Sequence, residues 1–477
     1  MRSGTGKTGS RVTADKPSLG ALFRTSTGTL ALALLTVELV AGIQSYITST
    51  VLPLMASDLH AQDQYGLVTG AGQVAMFLTM PLGTFLLTRY PAARLLTWFT
   101  LLTVIGAIVS ATAPTIELFI TGRVMVGLAS GALATISMSV IVVHLPRAWR
   151  QLVLAGFAAM WVITSLVGPL YASWISVLLD WRWAMVLYLP LLIAARLLVA
   201  RKLPDSAPDG DHSPFDIPSA LTLASGVALI SGLASVGPWW PILAIGGVIL
   251  TAMATQRLLP KGTFRWRRGR PSAIALLGTL CGIYFGAGSV ITIVAHDVLK
   301  FDPVLIGVLL MIGGLSWAIT GLLCGKWPAI GDASFRHRTC AGTILLLCGL
   351  LTIAVAVISA SAVISASGLM GTVMFILGWS LAGFGMGLCY LDTLNRIVET
   401  PTAPDGISAA HAAASTVIVE AIATAILTTA ATAAVSALPI ATGPTGSATI
   451  FAALSTGTIL MFLLIKQVTK QPAGQTS

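Results

Sequence analysis

The feature that most constrains this chain is the recurrence of apolar stretches long enough to cross a bilayer. A membrane-spanning helix needs about 20 predominantly apolar residues to cover the hydrocarbon core. Stretches of that order recur at 30–54, 64–87, 95–114, 117–141, 151–178, 183–200, 219–236, 240–258, 272–295, 303–325, 339–360, 369–394, 408–435 and 449–467. In hydrocarbon every backbone N–H and C=O must find its partner within the protein, so such stretches fold as helices. Only 9% of the residues are charged and 56% are hydrophobic, against roughly 25% charged in a soluble domain. Mean hydropathy is +0.89. The expected fold class is therefore an all-α integral membrane protein of 14 spans. The pair at 219–236 and 240–258 is separated only by the turn around Gly237 and Pro241, and reads either as two spans or as one re-entrant hairpin.

The formal net charge is +10. In a soluble protein this would point to nucleic acid, but no basic–aromatic patch of the kind nucleic acid needs is present. The basic residues fall instead between the apolar runs. With the amino terminus inside and sides alternating, 24 of the 27 Lys and Arg lie inside, Arg196, Arg201 and Lys202 among them. Only Arg182 and Lys300 lie outside, and Arg123 lies within a span. Basic residues favour the cytoplasmic side of a membrane. Both ends are thus expected in the cytoplasm, in the cell membrane. Residues 1–29 are polar and basic and read as a cytoplasmic tail rather than a cleaved leader. The five cysteines lie in or beside apolar segments without a CxxC pair; they read as small core residues rather than metal ligands or disulfides.

Two longer inside loops, 201–218 and 257–271, divide the chain. The expected organisation is a tail (1–29), a six-helix bundle (30–200), a linker region carrying two inserted spans (201–271), a second six-helix bundle (272–467) and a tail (468–477). Six spans, two, then six suggest duplicated halves with an inserted pair.

An ionisable group at the centre of a membrane helix costs about 2.5–3.5 kcal/mol on insertion scales, and usually lines a water-filled path or pairs with another group. Glu38 lies near the middle of the first span, with Gly42, Ser45 and Ser49 on the same helical face. This face reads either as a proton or cation site beside a cavity, or as one side of a structural ion pair with Arg123. Glu420 lies near the centre of its span among Ala, Ile and Thr. It is either functional or a neutral acid hydrogen-bonded to a neighbouring helix. Asp392, near an inner helix end beside Asn395 and Arg396, reads as an interface cap or ion pair, or alternatively as cavity lining. His296 and Asp297 sit at an outer end and are expected to face water. Trp161, Trp174, Tyr284, Phe285, Trp379 and Tyr390 are candidates for lining a ligand cavity or for packing.

Four segments resemble the major facilitator superfamily, in particular its fourteen-span drug:proton antiporters. The loop from Leu82 to Arg94 is similar to the family's inside loop: Gly83, Arg89 and Arg94 match, while Thr88 stands in place of its Asp and Pro91 in place of its Gly. The resemblance gives Arg89 a gating role, although the family's Asp latch is missing. Gly122-Arg123 with Gly127 and Gly131 resembles the fourth-span motif, whose arginine the family uses in proton coupling. Gly168-Pro169 resembles the shortened antiporter motif of the fifth span; such a dipeptide removes a backbone hydrogen bond and permits a kink and close helix approach. Asp180-Trp181-Arg182-Trp183 resembles the segment leading into the sixth span. In the first span, Gln44 stands where the family has an acid nine residues before the closing Pro53.

No Walker-type loop, HExxH motif or soluble domain able to hydrolyse ATP occurs in the sequence. The protein is therefore expected to be no enzyme and to need no cofactor and no metal; either an ion gradient supplies the energy or transport is downhill. The expected activity is proton-coupled export of small amphipathic or cationic compounds by a monomer, with protons, a small-molecule substrate and lipid as partners. The alternatives are a symporter importing a small metabolite and a non-transporting membrane sensor on the same fold.

Overall fold

The computed structural model describes residues 25–87, 89–203, 217–232, 239–362, 368–398, 409–437 and 444–469. Thr88, most of both expected tails and most of the Asp/Pro-rich linker lie outside the described residues.

Fourteen helices account for nearly all of the described residues. The first half comprises α1 (Ser26–Asp58), α2 (Tyr65–Leu87), α3 (Ala92–Ala111), α4 (Ile116–His144), α5 (Arg147–Leu178) and α6. The last is in two pieces, Trp181–Ala184 and Leu189–Lys202. Next come α7 (Ile217–Ser231) and α8 (Trp240–Leu258). The second half comprises α9 (Arg270–Ile293), α10 (Pro303–Lys326), α11 (Gly331–Ala362), α12 (Gly368–Val398), α13 (Ala409–Ala437) and α14 (Pro444–Val468). Among the described residues, thirteen helical stretches are long and apolar enough to cross a membrane, and α7 is a shorter apolar helix. The ends follow local chemistry. Thr25 accepts from the Gly28 N–H at 2.9 Å, Asp180 from Arg182 N–H at 2.8 Å and Asp302 from Leu305 N–H at 2.9 Å, satisfying amides that have no partner inside the helix. Proline occupies the first turn of α10, where its missing N–H costs nothing.

The two halves pack alike. In the first, α1 lies against α5 and α6, α4 against α2 and α3, and α3 against α6. In the second, α9 lies against α13 and α14, α12 against α10 and α11, and α11 against α14. These principal pairings are the same in the two halves; α9 in addition packs on α12. Between the halves, α5 meets α10, α2 meets α13, and α1 meets α9, which are the pairings a two-fold relation would produce. The inserted hairpin breaks this relation. Helices α7 and α8 pack together, and α7 lies across the α2–α13 seam with no equivalent on the α5–α10 seam.

The cores show where the halves join. In α1 the buried residues from Val40 to Ala56 form one continuous apolar core with Ile274, Leu280, Phe375 and Phe451 of the second half. The buried residues from Leu30 to Val37 belong to a separate core with Leu95, Ile136 and Trp149 of the first half alone. The bundles are therefore fused toward the Asp58 end of α1 and independent at its Ser26 end. Tyr65 at the start of α2 donates its hydroxyl to Asp297 of the π-helical turn closing α9 at 2.6 Å, linking the halves at the fused end. Asp297, expected to face water, is instead a partly buried bridge, because the start of α2 leans on the second bundle.

Candidate functional site

Glu38 lies 12 residues from the start of α1, or about 18 Å along its axis at 1.5 Å per residue. It falls between Val37, in the core of the Ser26 end, and Val40, in the fused core. This is the depth at which the two bundles part. Its carboxylate is partly exposed and accepts a hydrogen bond from the indole N–H of Trp161 on α5 at 3.1 Å. The α1–α5 contact that brings them together is close: a side chain on Gly42 would strike Thr164, 2.7 Å from its methyl, and Gly156 lies against Leu35.

The sequence offered Arg123 as a partner for Glu38; of the two arginines it is Arg196 that lies within electrostatic reach of Glu38, without forming an ion pair. Arg196 is the cation whose charge acts on Glu38, and it donates to Ser137 Oγ of α4 at 3.0 Å. At 9% exposure it lies inside α6, not in the loop that follows. Arg123 belongs to a different layer. It donates to Thr48 Oγ1 at 3.2 Å and sits near Tyr188, toward the fused end. Thr48 is 10 residues beyond Glu38 on α1, about 15 Å along the axis, too far for an ion pair. Arg123 also leaves its buried Nε without a hydrogen-bond partner among the described residues. Ser49 donates to the Ser45 carbonyl at 3.2 Å and Ser45 is exposed, so both remain on the accessible side of α1.

Glu420 on α13 is partly exposed and accepts a hydrogen bond from Tyr390 Oη of α12 at 2.9 Å. Among the described residues neither Glu38 nor Glu420 forms an ion pair. Tyr390 is one edge of an aromatic cluster. Tyr284 stacks on Trp379 with centroids 4.7 Å apart, and Trp317 touches Tyr284, Phe285 and Tyr390 edge-on. All four candidate aromatics of the second half thus join one cluster beside Glu420, with Trp317 at its hub. Trp174 lies apart, 56% exposed on α5.

Gly168 and Pro169 sit where three helices meet. A side chain on Gly168 would lie 2.9 Å from Tyr46 Cβ of α1. One turn on, the Pro169 carbonyl and Ser173 abut Gly307 of α10. Proline lacks the N–H that would bond the carbonyl four residues earlier, and the helix nevertheless continues through it. The motif therefore joins the two bundles along the α5–α10 seam. Arg89 lies over the Phe85 ring at 4.6 Å. Asp392, 3% exposed, is paired with Arg338 of α11 at 3.1 Å and accepts from the Ala329 amide at 3.2 Å. Arg396, its neighbour in sequence, pairs instead with Asp332 at 2.8 Å.

Comparison with known proteins agrees with this architecture. The family model of the Major Facilitator Superfamily matches residues 34–423. The chain is similar to the multidrug export protein EmrB of Haemophilus influenzae, 28% identical over 190 residues that cover 39% of this chain and 37% of that protein. It is similar to the multidrug efflux pump SdrM of Staphylococcus aureus, 28% identical over 170 residues, 35% of this chain and 38% of that one. A triacylglyceride transporter of Mycolicibacterium hassiacum is 26% identical over 336 residues, 64% of this chain and 60% of that protein. The first of these alignments thus span well under half the length of the relatives. Among solved structures, a POT family transporter in complex with a thioalcohol conjugated peptide superposes with a TM-score of 0.64 at 16% identity, covering 92% of this chain and 96% of that one. The human organic anion transporter MFSD10 gives 0.52 at 14% identity, covering 92% and 99%. These likenesses establish the fold, and the family match is independent of them. With its repeated six-helix bundles and a family match over most of its length, this integral membrane chain belongs to the Major Facilitator Superfamily of transporters.

Proposed function

We propose that the protein exports small amphipathic or cationic compounds in exchange for protons by alternating access. The observation that carries this reading is the position of Glu38, which forms no ion pair among the described residues, at the level where the bundles part. On this reading a carboxyl there is reached from the Ser26 end, with the fused core closing the Asp58 side. The positive-inside distribution makes the Ser26 end cytoplasmic, so the conformation is inward-open, in a cell membrane with both termini inside. The proposed domain limits are bundles at 30–200 and 272–467 around the inserted pair.

A carboxyl in such a position binds either a proton or a cationic cargo, not both. Rocking of the bundles about the α2–α13 and α5–α10 seams would expose it to the other side, where protonation releases cargo. Glu420, held by Tyr390 beside the aromatic cluster, supplies a second acid, and the aromatic faces suit flat apolar or cationic molecules. Arg123, partly accessible near Thr48 and Tyr188, lies on the route between the Glu38 level and the fused end. Gly168, Pro169 and Arg89 serve the movement rather than the cargo. The names of EmrB and SdrM, an exporter and an efflux pump, support export.

The test is dye retention. Cells expressing the protein should accumulate less of an ethidium-like cation than cells without it, and an uncoupler should abolish the difference. Uptake of a labelled metabolite on expression would support the importer instead. Absence of any flux from folded protein would support the sensor.

A further inference from the structure

The segment joining α8 to α9 plays no part in the transport reading, yet it is built in detail. Between Arg257 and Arg270 it carries six basic residues and no acid. It is folded into consecutive turns. The Gly262 carbonyl accepts from the amides of both Arg265 and Arg267, at 3.2 and 3.1 Å. Thr263 Oγ1 donates to the Pro260 carbonyl at 2.9 Å, and Ser272 Oγ to the Arg267 carbonyl at 2.7 Å. The Gly269 amide donates to the Gln467 carbonyl at 3.1 Å, tying the turn to the end of α14. Gly262 has φ +103°, and a side chain there would lie 2.7 Å from Arg267 Cδ, so this position needs glycine. Trp266 is also left-handed, with φ 47°, a conformation that bulky residues avoid unless the surroundings hold them in it.

The result is a cavity of about 450 Å³ whose walls include Gln256, Lys261, Phe264, Arg265 and Arg267. Among the described residues, Lys261, Arg265 and Arg267 form no ion pair. Three cations brought to one cavity repel one another unless an anion lies between them, and guanidinium groups suit phosphate oxygens in bidentate geometry. Phe264 and Trp266, 45% and 42% exposed, flank the basic residues on the same turn. The apolar run of α8 ends at Leu258 and that of α9 begins after Arg270, so these rings lie at headgroup depth, where aromatic residues anchor membrane proteins.

We infer that this turn is a binding site for the phosphate headgroup of an anionic phospholipid in the adjoining leaflet, with Lys261, Arg265 and Arg267 around the phosphate and Phe264 and Trp266 against the upper acyl chain. The aromatic pair and the depth select a membrane lipid over a soluble phosphate. Occupancy would fasten α8 and α9, and through Gly269 the end of α14, to the bilayer surface.

Each basic residue near an anionic surface contributes about a fivefold preference. The full-length protein, purified in mild detergent, is titrated with phosphatidylglycerol or phosphatidylcholine and bound lipid is read by native mass spectrometry. K261A/R265A/R267A should weaken phosphatidylglycerol binding on the order of 100-fold and leave phosphatidylcholine unchanged. R94A/R201A/K202A, which removes equal charge from exposed positions at the same end, should weaken phosphatidylglycerol binding far less than the triple variant of the turn and leave phosphatidylcholine unchanged. Should the first triple variant not be recovered, R265Q alone should weaken phosphatidylglycerol binding about fivefold. Undiminished binding in the variants of the turn, equal loss in the control triple, or tighter binding of inorganic phosphate than of phosphatidylglycerol would each overturn the assignment.

Discussion

Trp161 donates its indole N–H to Glu38 at 3.1 Å, from α5 across to α1, at the level where the two bundles stop sharing a core. The contact holds the carboxyl in one orientation without neutralising it. Arg196 supplies the nearby positive charge, from α6 on the side away from the second bundle. Phe at position 161 keeps the bulk and removes the donor. A hydrogen bond to a charged group contributes about 1.5–3 kcal/mol, so W161F is expected to lower proton-driven exchange by about tenfold while expression and thermal unfolding stay near wild type. Radiotracer exchange in proteoliposomes measures it.

At the α1–α5 contact, a methyl group added at Gly168 meets Tyr46 Cβ at 2.9 Å. Overpacking of this kind costs about 1–3 kcal/mol. G168A should lower the melting temperature in detergent and slow transport, and Y46A, which keeps Cβ but removes the Cδ2 and Cγ contacts at 3.0 and 3.2 Å, should recover part of the loss in the double variant. Additive losses would mean that the two side chains do not meet.

Asp392 and Arg338 form a buried pair near the Lys326 end of α10. Removing one partner strands the other charge, at a cost of about 3–5 kcal/mol. D392A and R338A should each reduce the yield of monodisperse protein sharply. The double variant should be recovered better than either single one, as read by fluorescence-detected size exclusion.

The hydroxyl of Tyr65 is the link from the first bundle to Asp297 in the second. Y65F removes the hydrogen bond and keeps the ring in its buried site. Spin labels on Asp63 and Asp302, in a cysteine-free background, should show a larger long-distance population in Y65F than in wild type. Transport should shift toward the state open at the Asp58 end.

Much of this was legible from sequence because hydropathy is a local property. Fourteen apolar runs gave fourteen helices, and the glycine–proline dipeptide of α5 marked a place where helices approach closely. What escaped were relationships between distant segments. Arg196 was counted with the inside charges Arg201 and Lys202, yet it is buried within α6 and donates to Ser137. A Glu38–Arg123 pair was the alternative reading because both are charges inside spans, but a helix separates groups by 1.5 Å per residue, and their depths differ. Trp317 carried no signal, being one apolar side chain among many. Asp392 was recognised as an ion-pair candidate, but Arg338 lies 54 positions away and only the packing of α11 on α12 selects it over Arg396.

The account rests on Glu38 and Glu420 carrying the proton. Its most direct measurement uses proteoliposomes holding wild type or E38Q/E420Q, with labelled substrate and an imposed pH gradient. Wild type should drive substrate against its concentration gradient, and the double variant should lose this while still exchanging labelled for unlabelled substrate at equilibrium. Gradient-driven accumulation by E38Q/E420Q at the wild-type level would contradict it.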